Sequence, residues 1–136
     1  MKEDYLIKEL HELYSFVRTD FSVYITWYTI FTTVNFAAIG WLLLKDMSQN
    51  IVIVSVCAIF MSFQNILGIW GSISVQKQMK SRSEKALLIG EKIDTQQPQI
   101  VGTLLADGFY EKIFRPLIAG LTLWLIFWIA YPFILF

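Results

Sequence analysis

The amino-acid sequence predicts an all-α integral membrane protein with three transmembrane helices, the first two forming a long antiparallel hairpin with cytoplasmic helical extensions. Three observations carry this expectation. Only 16% of the 136 residues are charged and 56% are hydrophobic, whereas soluble chains average about 25% charged. Three stretches, 21–44, 51–76 and 116–136, hold no charge over 24, 26 and 21 residues, and a helix needs about 20 such residues to cross the hydrocarbon core. The cations cluster at one place, after residue 76, which sets an orientation.

The first element is an amphipathic arm, 1–20, that runs without interruption into the first span, 21–44. Leu6, Leu10, Leu13 and Val17 fall within about 60° of one another at 100° per residue. No Pro or Gly separates arm from span, so one helix is expected from Glu3 to Leu44, near 63 Å long at about 1.5 Å per residue. The start, Met-Lys-Glu-Asp followed by a charged segment, does not have the form of a cleavable signal peptide.

Residues 45–50 form the expected external turn. The second span, 51–76, continues as a cytoplasmic helix over 77–94. A seven-residue repeat runs through both parts: Ala58, Asn65, Ser72, Met79, Ala86 and Ile93, accompanied by Met61, Gly68, Val75, Arg82 and Ile89. Within the span this seam is small or polar, as suits helices associating in lipid. Beyond it the seam is mostly apolar, as suits helices associating in water. Met79, Ala86, Ile89 and Ile93 are the seam of this arm. Arg82 breaks the pattern. The two arms carry opposite charge, since three cations meet five carboxylates in 1–20 and five cations meet three carboxylates in 77–94.

Residues 95–115, with Pro98 and Gly102, read as a cytoplasmic linker and a break in helix, with 100–106 at the membrane interface. The third span is 116–136. Pro116 falls where a first-turn proline is tolerated, and Pro132 kinks the outer end.

Lys77, Lys80, Arg82, Lys85, Lys92, Lys112 and Arg115 all lie between spans two and three, against Lys45 alone in the first connection. This connection belongs in the cytoplasm of a bacterial inner membrane. The N-terminus is then cytoplasmic and the C-terminus external. Lys77, Lys80, Arg82 and Lys85 are expected to orient the chain and to face anionic lipid or a cytoplasmic protein partner. Trp27, Tyr28 and Trp41 mark the ends of span one, and Trp124, Trp128 and Tyr131 run along span three.

The spans contain no ionisable Asp, Glu, Lys, Arg or His, which argues against a proton relay. They hold neutral polar groups instead. Thr26, Thr29, Thr33, Ala37 and Gly40 make one small face of span one. Asn35 lies on another face, at a depth that could meet Asn65 of span two. Ser62, Gly68 and Ser72 complete the candidates, which read either as helix packing or as pore lining in an oligomer. Side-chain amides in hydrocarbon are costly without partners, so Gln64 and Asn65 should meet a helix, a subunit or water. One cysteine, Cys57, and one histidine, His11, cannot make a Cys/His zinc site within one chain. No nucleophile elbow, metalloprotease helix or phosphate loop is present. No enzyme activity, cofactor or nucleic-acid partner is expected.

The leading charged helix, the hairpin beginning VRTDFSVYITWYTIFTTVNFAAIGWLL and the amphipathic KSRSEKALLIGEKID resemble SLATT-like transmembrane effectors of bacterial defence systems. The resemblance is one of layout over residues 1–95, and the third span departs from their two-span pattern. It implies an oligomeric effector that perturbs the membrane when a cytoplasmic sensor signals infection. The expected function is a self-associating, pore-forming or membrane-perturbing effector. The alternatives are a non-conducting anchor or accessory subunit and an oligomeric small-molecule transporter.

Overall fold

A computed structural model describes residues 2–44, 49–93 and 109–135, which form three helices and no strand. Helix α1 spans Lys2–Leu44, α2 spans Ile51–Ile93 and α3 spans Phe109–Leu135. Both α1 and α2 are 43 residues long, so the arms are continuous with the apolar segments. The expected break and interfacial stretch in 95–107, and most of the 45–50 turn, lie outside the described residues.

Asn50 starts α2. Its Oδ1 accepts hydrogen bonds from the backbone N–H of Val52 at 3.1 Å and Ile53 at 3.2 Å, and its carbonyl accepts from Val54 N at 3.0 Å. An Asn side chain here meets two of the amides that a helix start leaves without intrahelical partners. The third helix begins earlier than the uncharged run. It starts at Phe109, which puts Glu111, Lys112 and Arg115 on helix and places Pro116 inside it rather than in its first turn.

The contacts set the directions of the helices. Asn35 meets Asn65, Phe31 lies by Gly68 and Trp27 by Gly71, and Phe16 lies under Arg82. As the α1 number falls the α2 number rises, so the two helices pack antiparallel. Phe114 of α3 packs against Tyr24, and Trp124 meets Phe36 edge to face, so α3 runs parallel to α1. Helix α2 touches both neighbours.

The buried stripe of α2 is the seven-residue repeat. Val54, Ala58, Met61, Asn65, Gly68, Ser72, Met79, Ala86 and Ile89 are all buried. A hydrophobic period of 3.5 residues keeps one face turned inward along a long helix. Leu6, Leu10, Leu13 and Val17 are each half-buried on the arm of α1. Two apolar clusters result, one around Leu42, Val54, Met61 and Trp128, the other around Tyr24, Met79, Tyr110 and Phe114.

Two helices carry segments long and apolar enough to cross a membrane, Ile51–Gly90 and Tyr110–Leu135. Among the described residues α1 is not one of these two; its uncharged stretch also holds Thr26, Thr29, Thr32, Thr33 and Asn35. Around the uncharged segments the outside of the bundle carries many large apolar side chains. Phe133 is 83% exposed, Ile59 72% and Trp70 69%.

Candidate functional site

The polar groups of the uncharged region fall into two sets, one inside the bundle and one outside. Between the two apolar clusters, Asn35 and Asn65 face each other, and neither has any exposed surface. Asn65 Nδ2 donates to Asn35 Oδ1 at 2.9 Å and to the Met61 carbonyl at 2.8 Å. Asn35 Nδ2 donates to the Phe31 carbonyl at 2.8 Å and makes a longer 3.5 Å contact with Asn65 Oδ1. Asn35 Oδ1 also accepts from the indole Nε1 of Trp128 at 2.8 Å. One residue from each helix thus joins a closed network. Such a network tolerates burial because each polar group has a partner.

Two further features belong to the inner set. Tyr24 Oη donates to Ser72 Oγ at 2.9 Å, and Ser72 Oγ donates to the Gly68 carbonyl at 2.7 Å. Gly68 sits where the three helices converge, since a Cβ there would lie 3.3 Å from both Phe31 of α1 and Leu121 of α3. Ser62 is half-buried. Gln64 differs from its neighbour Asn65: its Nε2 is buried and has no hydrogen-bond partner.

The outer set is the small face of α1. Thr26, Thr29, Thr33 and Ala37 are exposed, and nothing lies within 4 Å of a Cβ built on Gly40. The three hydroxyls donate to carbonyls one turn back in the same helix, those of Ser22, Ile25 and Thr29, at 3.0, 2.8 and 2.8 Å. Ser22, Thr26, Thr29, Thr33, Ala37 and Gly40 together form a stripe about 80° wide at 100° per residue. Large apolar residues flank it, Ile25, Ile30 and Phe36 among them. Sequence spacing sets these threonines on one face of α1 and Asn35 on another; in the structure the threonine face is exposed, turned away from both neighbouring helices, and Asn35 is buried.

The basic residues also divide. Arg82 pairs with Asp20 and lies over the Phe16 ring, 5.6 Å from its centroid. Lys85 donates to Glu9 at 2.8 Å, and the Glu9 carboxylate raises the Lys85 ammonium above its ordinary pKa. These two tie the arms of α1 and α2 together. Arg82 therefore interrupts the apolar seam because it meets a carboxylate and an aromatic face, and neither it nor Lys85 is a free cation for lipid. Lys77 and Lys80 are exposed. Met79, Ala86 and Ile89 are buried between the helices, and the side chain of Ile93 lies outside the described residues.

Trp128 was not evident from the sequence as part of this centre. Along span three it reads as one of several interfacial aromatics, yet it is fully buried. The clue available was its indole N–H, which needs a partner at that depth. Comparison with known proteins finds no matching protein family, no matching curated protein and no matching solved structure.

Proposed function

We propose that the chain is a small bacterial inner-membrane protein that crosses the bilayer three times and self-associates through α1 into a pore-forming or membrane-perturbing effector. The observation that carries this reading is the exposed stripe Ser22, Thr26, Thr29, Thr33, Ala37 and Gly40. Helices in lipid associate through small and hydroxyl residues, which let backbones approach. The same residues would line a neutral polar path if several copies closed a ring.

Several features support the membrane reading. Only 28% of the apolar window of α2 and 11% of that of α3 is buried, whereas the core helix of a soluble domain is mostly buried. Helix α1 is less apolar but lies beside both over its uncharged length, from Tyr24 to Leu42, so it crosses where they cross. The cations after residue 76 favour a cytoplasmic location for the arms and an external C-terminus. The antiparallel hairpin of α1 and α2 then carries a paired stalk in the cytoplasm, tied by Arg82–Asp20 and Lys85–Glu9. That stalk is the place for a cytoplasmic protein signal to act. The SLATT-like layout fits the same picture.

The test is the mass of the purified protein in nanodiscs, with leakage of a small dye from vesicles, for wild type, Thr29→Leu/Thr33→Leu and Asn65→Leu. The expected result is a discrete oligomer and leakage for wild type, both lost with the threonine substitutions. Asn65→Leu keeps the oligomer, because Asn65 is buried inside the protomer. A wild-type monomer that does not leak would overturn the effector reading in favour of a non-conducting anchor.

A further inference from the structure

The cations of the three helices gather at one level. Arg82 reaches both Phe16 and Asp20, which puts Arg18 at the same level, on the far side of α1. Lys80 approaches Glu111 at 3.9 Å, which places Lys112 beside it. Lys77 and Arg115 lie about one turn further toward the uncharged region. Six cations thus share a band with only two carboxylates, Asp20 and Glu111. Asp20 is held by Arg82, and Glu111 is approached by Lys80 and by Arg115 at 3.7 Å. Among the described residues no carboxylate comes within ion-pair distance of Arg18, Lys77 or Lys112, and all three are exposed.

Each of these three stands at the foot of an apolar track on its own helix. On α2, Ile73, Trp70, Ile66 and Phe63 follow Lys77 up one exposed face. Trp70 lies seven residues from Lys77, about 10 Å along the axis. On α3 the exposed Leu123 and Ile126 follow Lys112, and on α1 the exposed Ile25 and Phe36 follow Arg18 along the edge of the threonine stripe. A cation with an apolar track above it is complementary to a phospholipid, which would set its phosphate against the cation and its acyl chain along the track.

We infer that Arg18, Lys77 and Lys112 form a collar that binds the headgroups of anionic phospholipids, whose acyl chains lie along the exposed apolar faces of the same helices. This rests on the membrane reading. Each cation near an anionic surface contributes about 1 kcal/mol, or roughly a fivefold preference.

The experiment uses the full chain in phosphatidylcholine vesicles containing brominated phosphatidylglycerol or, at the same fraction, brominated phosphatidylcholine. Bromine on the acyl chain quenches nearby tryptophan, and the difference between wild type and Trp70→Phe isolates Trp70. For wild type, the anionic lipid should occupy the site beside Trp70 roughly fivefold more readily than the neutral one. Lys77→Gln should bring the two lipids to parity, as should 1 M salt, while Lys8→Gln on the arm should leave the preference intact. Equal quenching of wild type by both lipids would overturn the collar while leaving the membrane reading standing. So would a preference that survives Lys77→Gln. Quenching by neither lipid would overturn the membrane reading and the collar with it.

Discussion

Asn35 and Asn65 form a fully buried amide pair across α1 and α2, with Asn65 Nδ2 donating to Asn35 Oδ1 at 2.9 Å. The two residues are not equivalent, because Asn35 Oδ1 also holds the Trp128 indole. Asn65→Leu removes one partner of Asn35 but leaves Asn35 bonded to Trp128 and to the Phe31 carbonyl. Asn35→Leu orphans the Trp128 N–H and the side-chain Oδ1 of Asn65 together. Hydrogen bonds between membrane helices contribute about 0.6 kcal/mol on average and up to about 1.7. Asn35→Leu should therefore cost about 1 kcal/mol more than Asn65→Leu. The double variant should cost less than the two singles combined, since they share partners. Reversible unfolding in mixed micelles measures all three, and equal costs for the two singles would contradict the network.

The stalk makes a second prediction. The Arg82 and Asp20 side chains are 37% and 34% exposed, so solvent screens the pair and its contribution is about 0.5–1 kcal/mol. Asp20→Arg should loosen the arms and speed proteolysis within 1–20. Asp20→Arg combined with Arg82→Asp should restore protection. Arg82→Lys alone, with Asp20 in place, should retain only part of the wild-type protection, because an ammonium does not stack on Phe16 as a guanidinium does. Cleavage rates under limiting protease distinguish these outcomes.

Much of this architecture is legible in the residues. The seven-residue repeat from Ala58 to Ile89 marks the buried stripe of α2 because a 3.5-residue period can serve only one inward face. The depth of Asn35 matches that of Asn65 once the two uncharged stretches are laid antiparallel. Rotation of each helix about its axis is less legible. The threonines of α1 have the spacing of a packing face, yet in this chain they point outward. Trp128 has the composition of an interfacial anchor, yet it points inward. Both depend on how three helices share their faces, which local spacing does not encode. The start of α3 at Phe109 is likewise hidden, because the charge boundary at Arg115 marks where apolar residues begin and not where the helix does.

Gln64 is a place where the fold gives up stability. Its Nε2 is buried without a partner, and an unmade hydrogen bond of this kind costs about 1–3 kcal/mol. Gln64→Leu keeps similar volume and removes the polar group. It should raise protomer stability by about 1 kcal/mol, seen as a higher unfolding midpoint in the same micelles. If Gln64→Leu instead lowers the midpoint, the amide has a partner, and a neighbouring copy is the candidate to supply it.

The glycines separate inner from outer faces most directly. A Cβ on Gly120 of α3 would lie 2.7 Å from the Tyr28 hydroxyl oxygen, inside van der Waals contact, so Tyr28 or the helix must shift. A Cβ on Gly40 meets nothing within 4 Å. Gly120→Ala should therefore leave the protomer about 1 kcal/mol less stable than Gly40→Ala does, since both gain the same helix propensity and only Gly120 meets the clash. Gly40→Ala should leave it unchanged or slightly more stable, since Ala favours helix over Gly. Bulk at Gly40 would matter only between copies. Gly40→Leu should preserve the unfolding midpoint of the monomer at high detergent ratio and shift the assembly equilibrium toward monomer at low ratio. Sedimentation at both ratios reads the two effects apart, and an assembly indifferent to Gly40→Leu would place the contact between copies on some other face than this stripe.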